Sequence, residues 1–364
     1  MRDVAREAGV GVTTVSRVVN NAPSVQPEYV ERVRTAISKL GFRRNTIGRD
    51  LRMGRRTATI GLIVEDLRNP FYSLVAYEVE QIGRSHDTLL VTASSDEDPI
   101  RERELIKELC QRDVDGLIIV PTATNHAFCQ PEIDKGVPMV FLDRPPDGVE
   151  ADLVLLDNAG GALAGTRRLI EKGHRRIGVI GYEISVFTIQ ERVRGFRAAM
   201  AEAGFPVDER LLRFGSLTPA DASADVAALL DAPQPPTAFF CCNNRITVGV
   251  LDELWRRRLQ LDVAGFDDVE FADFLPRPVT LIVYDIGQLA RRAAELLFRR
   301  TRDREINAQR IMVPTRVITR GRAEPYPMRA QPGNLVPASA GNHEADQLNR
   351  RAPADQDLRH VKPH

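Results

Sequence analysis

The sequence predicts two kinds of fold in one chain: an all-α helix-turn-helix headpiece, then an α/β domain of two lobes, each a doubly wound parallel sheet. Three observations carry this. Residues 3 to 20, DVAREAGVGVTTVSRVVN, read as two short amphipathic helices joined by a turn containing glycine. From Thr59 onward, continuous apolar segments alternate with amphipathic helical ones, the pattern of parallel strands covered by helices on both faces. That alternation runs for about 260 residues, more than one sheet ordinarily carries, so two lobes are expected.

In the first helix Val4, Ala5 and Ala8 share a face. Gly9-Val10-Gly11 makes the turn, glycine being available where the backbone needs positive φ. The second helix is expected to bury Val12, Val15 and Val18/Val19. Thr13, Ser16, Arg17 and Asn20, spaced i, i+3, i+4, i+7, then face outward. This face holds hydroxyls, an amide and a guanidinium but no acid, the groups that hydrogen-bond base edges and phosphates in a major groove. With Val12 and Thr14 at the start of the helix, these residues form the candidate DNA-binding set. A third helix follows Asn21-Ala22-Pro23-Ser24. Pro27 stands near its first position, Val30, Val33, Ile37 and Leu40 form its apolar stripe, and Gly41 stops it. Such a headpiece, about 45 residues, is near the lower size limit for independent folding.

Charge supports this placement. The 364 residues carry 50 Lys+Arg against 50 Asp+Glu, yet the first sixty hold 12 basic and 5 acidic side chains. A basic head on an acidic body suits a protein that touches nucleic acid at one end. The four cysteines, Cys110, Cys129, Cys241 and Cys242, have no metal-ligand spacing, and the vicinal pair ends an apolar run, so packing is the expected role. His343, His360 and His364 make no metal site at their spacings. No metal or cofactor is expected. No apolar run reaches the ~18 residues that span a bilayer and no signal peptide is visible, so no membrane partner is expected and the cytoplasm is the expected compartment.

The strand candidates are Thr59–Val64, Thr88–Ala93, Gly116–Val120, Pro138–Leu142, Leu153–Leu156, Arg176–Ile180, Ala238–Cys242 and Thr280–Val283. Helical patterns lie at Phe71–Arg84, Ile100–Arg112, Gly160–Lys172, Glu191–Ala203, Ile246–Arg257 and Ile286–Arg300, the last expected to carry the chain back between lobes. Residues 323–364, polar and without apolar period, read as a disordered tail. Doubly wound lobes bind ligands beyond the carboxyl ends of their strands. The residues there are Asp66, Asn69, Phe71 and Tyr72 after the first strand, Asp143 and Arg144 after the fourth, then Asp157, Arg192 at the start of a helix, Asn243-Asn244, and Asp267. Carboxylates, amides and a guanidinium beside aromatic rings suit a polyhydroxylated ligand. Each residue alone also has a structural reading, since Asp and Asn cap helices after strands in any α/β protein. Enzyme motifs are absent: no G-x-G-x-x-G follows the first strand, and there is no P-loop lysine, G-x-S-x-G or HExxH.

DVAREAGV followed by TTVSRVVN closely resembles the start of the lactose/galactose repressor family. TIGLIVEDLRNPFY, RDVDGLIIVP, EKGHRRIGVIG, ERVRGFRAAMAEAGF and AGFDDVEFA extend the resemblance over residues 2 to 322. It implies a headpiece at 1–44, a hinge at 45–57, a two-lobed periplasmic-binding-protein-like effector and dimerisation domain at 58–322, and a homodimer or higher oligomer on a double-stranded DNA operator. It implies that the hinge, NTIGRDL from Asn45, becomes helical on DNA and wedges Leu51 into the minor groove, bending the duplex. It also implies effector contacts at Phe71, Tyr72, Asp143, Arg192 and Asn244, with Asp267 completing the candidate ligand set. Four departures are visible. Met1 stands where the first helix ordinarily has its N-cap, so either the chain starts upstream or the headpiece loses about 1 kcal/mol. Gly48 replaces a hinge Ala, costing about 1 kcal/mol of helix. Arg44 replaces a common Pro. RLQLDVAGF lacks about four residues before Phe266, so the strand Leu259–Ala264 is expected to be tight or distorted. Leu217 stands near a place where some members stack an aromatic ring on the sugar. The function implied is a sequence-specific transcriptional regulator, a repressor, controlled by a carbohydrate-like effector. The alternative is a cytosolic sugar-binding protein with a non-functional headpiece.

Overall fold

Short apolar stripes and a glycine turn build the first unit. In the computed structural model, which describes residues 1–19, 25–40, 58–122, 124–303 and 307–322, α1 (Arg2–Ala8), α2 (Val12–Val19) and α3 (Pro27–Leu40) enclose one small core. Val4, Ala5, Ala8, Val15, Val18, Val33 and Ala36 fill it. Gly9 caps α1 at φ 63°, the left-handed conformation the turn requires. Met1 makes no side-chain capping bond, as expected. Two readings of the stripes change. Val12 is 45% exposed and belongs to the outer face of α2, and Leu40 is 44% exposed. Ala36 takes the core place on α3. Asn20, Asn45, Leu51, the hinge at 45–57 and the tail at 323–364 lie outside the described residues.

The remaining described chain forms two sheets. The first is ordered β11-β5-β4-β3-β1-β2, from β1 (Thr59–Val64), β2 (Leu89–Ser94), β3 (Leu117–Ile119), β4 (Met139–Leu142), β5 (Asp152–Leu156) and β11 (Arg310–Val313), all parallel. The second repeats that order as β12-β10-β9-β8-β6-β7. Its strands are β6 (Ile177–Ile180), β7 (Leu212–Arg213), β8 (Ala238–Cys241), β9 (Asp262–Phe266), β10 (Val279–Val283) and β12 (Arg316–Arg320), the last antiparallel to β10. Helices α4 (Pro70–Ser85), α5 (Pro99–Gln111) and α6 (Gln130–Asp134) belong to the first lobe. Helices α7 (Asn158–Glu171), α8 (Phe187–Glu202), α9 (Pro219–Leu230) and α10 (Asn244–Arg256) belong to the second. The chain passes between lobes three times: after β5, after β10 and between β11 and β12. The second crossing leads into α11 (Ile286–Arg302), whose Leu289, Ala293 and Leu297 pack in the first lobe's core, as expected.

Close backbone approach explains one glycine outright. A Cβ on Gly195 of α8 would stand 2.2 Å from the Ala159 carbonyl oxygen of α7, so only glycine lets these helices pack. The strand expected to be distorted is regular. It begins at Asp262 and pairs in register with β8 and β10. The short connection is absorbed at Arg258, at φ 56°, where Leu259 N–H returns to the Leu254 carbonyl and Arg258 N–H to Trp255. Asp157, one of the post-strand candidates, caps α7 by accepting from Gly160 N–H at 2.9 Å.

Candidate functional site

The two lobes have equivalent carboxylates in equivalent places. Asp143 leaves β4 at φ 68° and its N–H donates to the Val154 carbonyl at 2.8 Å. Asp267 leaves β9 at φ 71° and its N–H donates to Ile282 at 2.9 Å. Asp is among the few residues that tolerate this conformation, and the strand ends thus aim both carboxylates into the gap between lobes. The cleft is narrow, with a cavity volume of about 50 Å³. Phe71, Tyr72, Asp143, Arg192 and Asp267 all line it. Arg192 does not begin its helix: α8 starts at Phe187, and Arg192 projects from its second turn.

Asn244 is the exception. Asn243, the N-cap of α10, lines the cleft while accepting from Ile246 N–H at 2.8 Å. Asn244 turns outward and donates through Nδ2 to Asn69 Oδ1 at 3.2 Å, joining the lobes at the rim. Asp66 also serves the rim, accepting from Arg245 at 3.2 Å and from Arg68 at 2.8 Å. Glu65, Asn69, Arg144, Tyr182, Thr188, Ser216, Arg245 and Tyr284 complete the polar lining, and Leu217 is on it too. Tyr182, Ser216 and Tyr284 follow strands whose pairing in the second sheet alone brings them here. A scan for residues after strands could have found Tyr182 and Tyr284, and nothing local marks Ser216.

Arg144 is held by Glu65 at 2.9 Å, by Glu97 and by the Pro121 carbonyl at 3.3 Å. Tyr72 OH donates to the same Glu65 oxygen at 2.9 Å. Burial opposes the Arg144 charge, but Tyr72, Glu97, Glu65 and Asp143 outweigh it and the guanidinium stays protonated. Arg192 donates Nε to Asn158 Oδ1 at 2.9 Å and Nη1 to the Cys242 carbonyl at 2.5 Å. Its guanidinium carbon lies 3.8 Å from the Phe266 ring centroid, a cation–π contact in a desolvated place. Tyr284 OH donates to Asp267 at 2.7 Å. Burial pushes the Asp143 carboxyl up, and Arg144 and Arg192 only partly offset it. Among the described residues no hydrogen bond reaches that carboxylate, so Asp143 is a desolvated acceptor facing the cleft.

The second surface is α2. Val12, Thr13 and Arg17 are exposed, Thr14 and Ser16 are half-buried, and Val15 and Val18 are inward. The exposed face of α2 among the described residues carries no acid.

A helix-turn-helix headpiece followed by a two-lobed cleft between twin sheets defines a DNA-binding transcriptional regulator. The model of bacterial regulatory proteins of the lacI family matches residues 1–45, and that of a periplasmic binding protein-like domain matches residues 166–321. The ribose operon repressor of Escherichia coli (strain K12) is 33% identical over 334 residues, 89% of this chain and 99% of the repressor. Among solved structures, a complex titled as the transcriptional regulator CelR with cellobiose is similar at TM-score 0.65 and 30% identity, covering 87% of this chain and 97% of that one. The Cra transcriptional dual regulator from Pseudomonas putida, solved with fructose 1-phosphate, is similar at TM-score 0.67 and 26% identity, covering 73% and 99%. The chain belongs to the lacI family of bacterial regulatory proteins.

Proposed function

We propose that this regulator is a repressor whose grip on a double-stranded operator is set by a small carbohydrate-like effector closed between its lobes. The observation that carries the reading is Asp143, a buried carboxylate aimed at the cleft without a hydrogen-bond donor among the described residues. Hydroxyl groups supply such donors, and the flanking Phe71, Tyr72 and Tyr284 rings suit the C–H faces of a sugar. Arg192 and Asp267 lie on the opposite wall. Val12, Thr13, Thr14, Ser16 and Arg17 are read as the operator-facing set, with Asn20, Asn45 and Leu51 added from the sequence. The relatives are named as repressors, which supports a regulator rather than an enzyme.

Dimerisation is read from exposed apolar side chains on both lobes: Leu89, Ile100 and Tyr77 on the first, Trp255, Phe271 and Phe274 on the second. A pair of headpieces then reads the halves of a near-palindromic site. Among the described residues no helix is long and apolar enough to cross a membrane.

A mobility-shift titration on the DNA upstream of the protein's own coding region, at two salt concentrations and with a sugar panel, tests the reading. A specific, salt-sensitive complex that one sugar alters is expected. The uncapped start of α1 favours the second reading, a sugar-binding protein with a non-working headpiece. Sugar binding without a specific complex, even after a capping residue is supplied ahead of α1, would establish it.

A further inference from the structure

We propose that Glu65 and Glu97 are specificity residues that bar anionic effectors, so the cleft accepts an uncharged sugar or polyol and rejects its phosphate ester. This rests on reading the cleft as the effector site. The two solved relatives above hold cellobiose in one case and fructose 1-phosphate in the other, so the family build alone leaves the charge of the ligand open.

Buried arginines are the usual anchors for phosphate, because the planar fork pairs with two oxygens at once. Here most of each fork is already engaged. Arg144 is clamped between Glu65 and Glu97, with the Pro121 carbonyl on the same nitrogen as Glu97. Arg192 is committed to Asn158 and the Cys242 carbonyl, with Asp267 at 3.7 Å from its remaining nitrogen. Arg245, the third guanidinium on the lining, pairs with Asp66. The N–H of Asn244, at the start of α10, points to Asp267 Oδ2 at 3.3 Å, so a carboxylate already faces that helix end. Five carboxylates, Glu65, Asp66, Glu97, Asp143 and Asp267, therefore stand against four guanidiniums, Arg68, Arg144, Arg192 and Arg245.

The donor left over is of another kind. Arg144 Nε is buried and without a hydrogen-bond partner among the described residues, and it lies 3.8 Å from Asp143 Oδ2. A hydroxyl can accept from that Nε and donate to Asp143 in one position. An ionised phosphate oxygen can only accept, and would set a second anion against Asp143 where the adjacent Arg144 fork is already neutralised by Glu65 and Glu97. Removing the two clamp charges should release the Arg144 fork.

The test uses the full chain, by thermal shift and calorimetric titration. The probes are D-ribose, D-fructose and cellobiose, together with ribose 5-phosphate, fructose 1-phosphate and inorganic phosphate. Wild type should bind each phosphorylated sugar at least about tenfold more weakly than its uncharged parent. The Glu65→Gln/Glu97→Gln double variant should gain at least about tenfold for one or more of the three phosphate probes. Glu97→Gln alone, which keeps the Glu65 clamp, should gain less and serves if the double variant does not fold. A wild type that binds a phosphorylated probe as well as its uncharged parent overturns the proposal, as does a folded variant with no gain. If no uncharged sugar binds, the carbohydrate reading fails, while the phosphate arm still decides the charge rule.

Discussion

Asp143 sits where a carboxylate is costly to keep. Burial raises its proton affinity more than Arg144 and Arg192 lower it, so the folded chain holds this proton at pH values where the unfolded chain has released it. Its contribution to stability therefore declines as pH rises from the ordinary Asp range through the raised folded value. Asp143→Asn removes that cost. Without ligand the variant should be more stable than wild type at neutral pH, by about 1 kcal/mol, and should lose the decline. The same change should weaken effector binding about 10- to 100-fold, because one charged acceptor is gone. Denaturant titrations at several pH values and a binding isotherm check both. A variant less stable than wild type at neutral pH would make Asp143 structural. Asp143 and Asp267 were legible in the sequence because each follows an apolar strand. The choice between Asn243 and Asn244 was not, since it depends on which of two adjacent side chains caps α10 and which is left to reach Asn69.

At the scale of elements, periodicity located most of the buried strands to within a residue or so, because each is a short apolar run, but it read β9 (Asp262–Phe266) as Leu259–Ala264, since Asp262 and Gly265 break its apolar run. It missed three edge strands: β7, only two residues long, and β11 and β12, whose exposed Arg310, Met312, Arg316 and Thr319 interrupt any continuous apolar pattern. Helix α9 was also missed, although Thr218 and Asp221 form a reciprocal capping box at its start. Its apolar positions are mostly alanine, which gives a weak stripe. The Arg258 turn shows where tertiary pairing overrides local preference: β9 must reach β8 and β10, and an exposed arginine takes a left-handed conformation to permit it. Arg258→Gly relieves that strain at some cost in unfolded-chain entropy, and should stabilise the protein by about 0.5–1 kcal/mol without affecting binding. A lower melting temperature for this variant would show that the Arg258 side chain contributes more than its backbone costs.

Across the whole molecule, the question is what transmits ligand occupancy. The lobes touch at the rim through Arg245–Asp66 at 3.2 Å and Asn244–Asn69 at 3.2 Å, both reaching from the start of α10 to the segment after β1. Asp66 does not line the cleft, so its removal takes no direct contact from the effector and acts through the balance between open and closed lobes or through the Arg245 guanidinium it releases on the lining. The pair is partly exposed and is worth about 0.5–1 kcal/mol. Asp66→Ala should therefore weaken effector binding roughly 2- to 5-fold without a lost contact to ligand. If closure is what the headpieces sense, linkage imposes a stricter condition. The factor by which saturating effector changes operator affinity must equal the factor by which saturating operator changes effector affinity, in wild type and in Asp66→Ala alike. Anisotropy titrations of labelled operator and calorimetric titrations of effector, each with and without the other ligand, give both factors. Unequal factors would mean that the two measurements report different binding events. An unchanged effector affinity in Asp66→Ala would remove the rim clasp from the transmission path and leave the Arg192–Asp267 and Arg144–Asp143 walls to carry it.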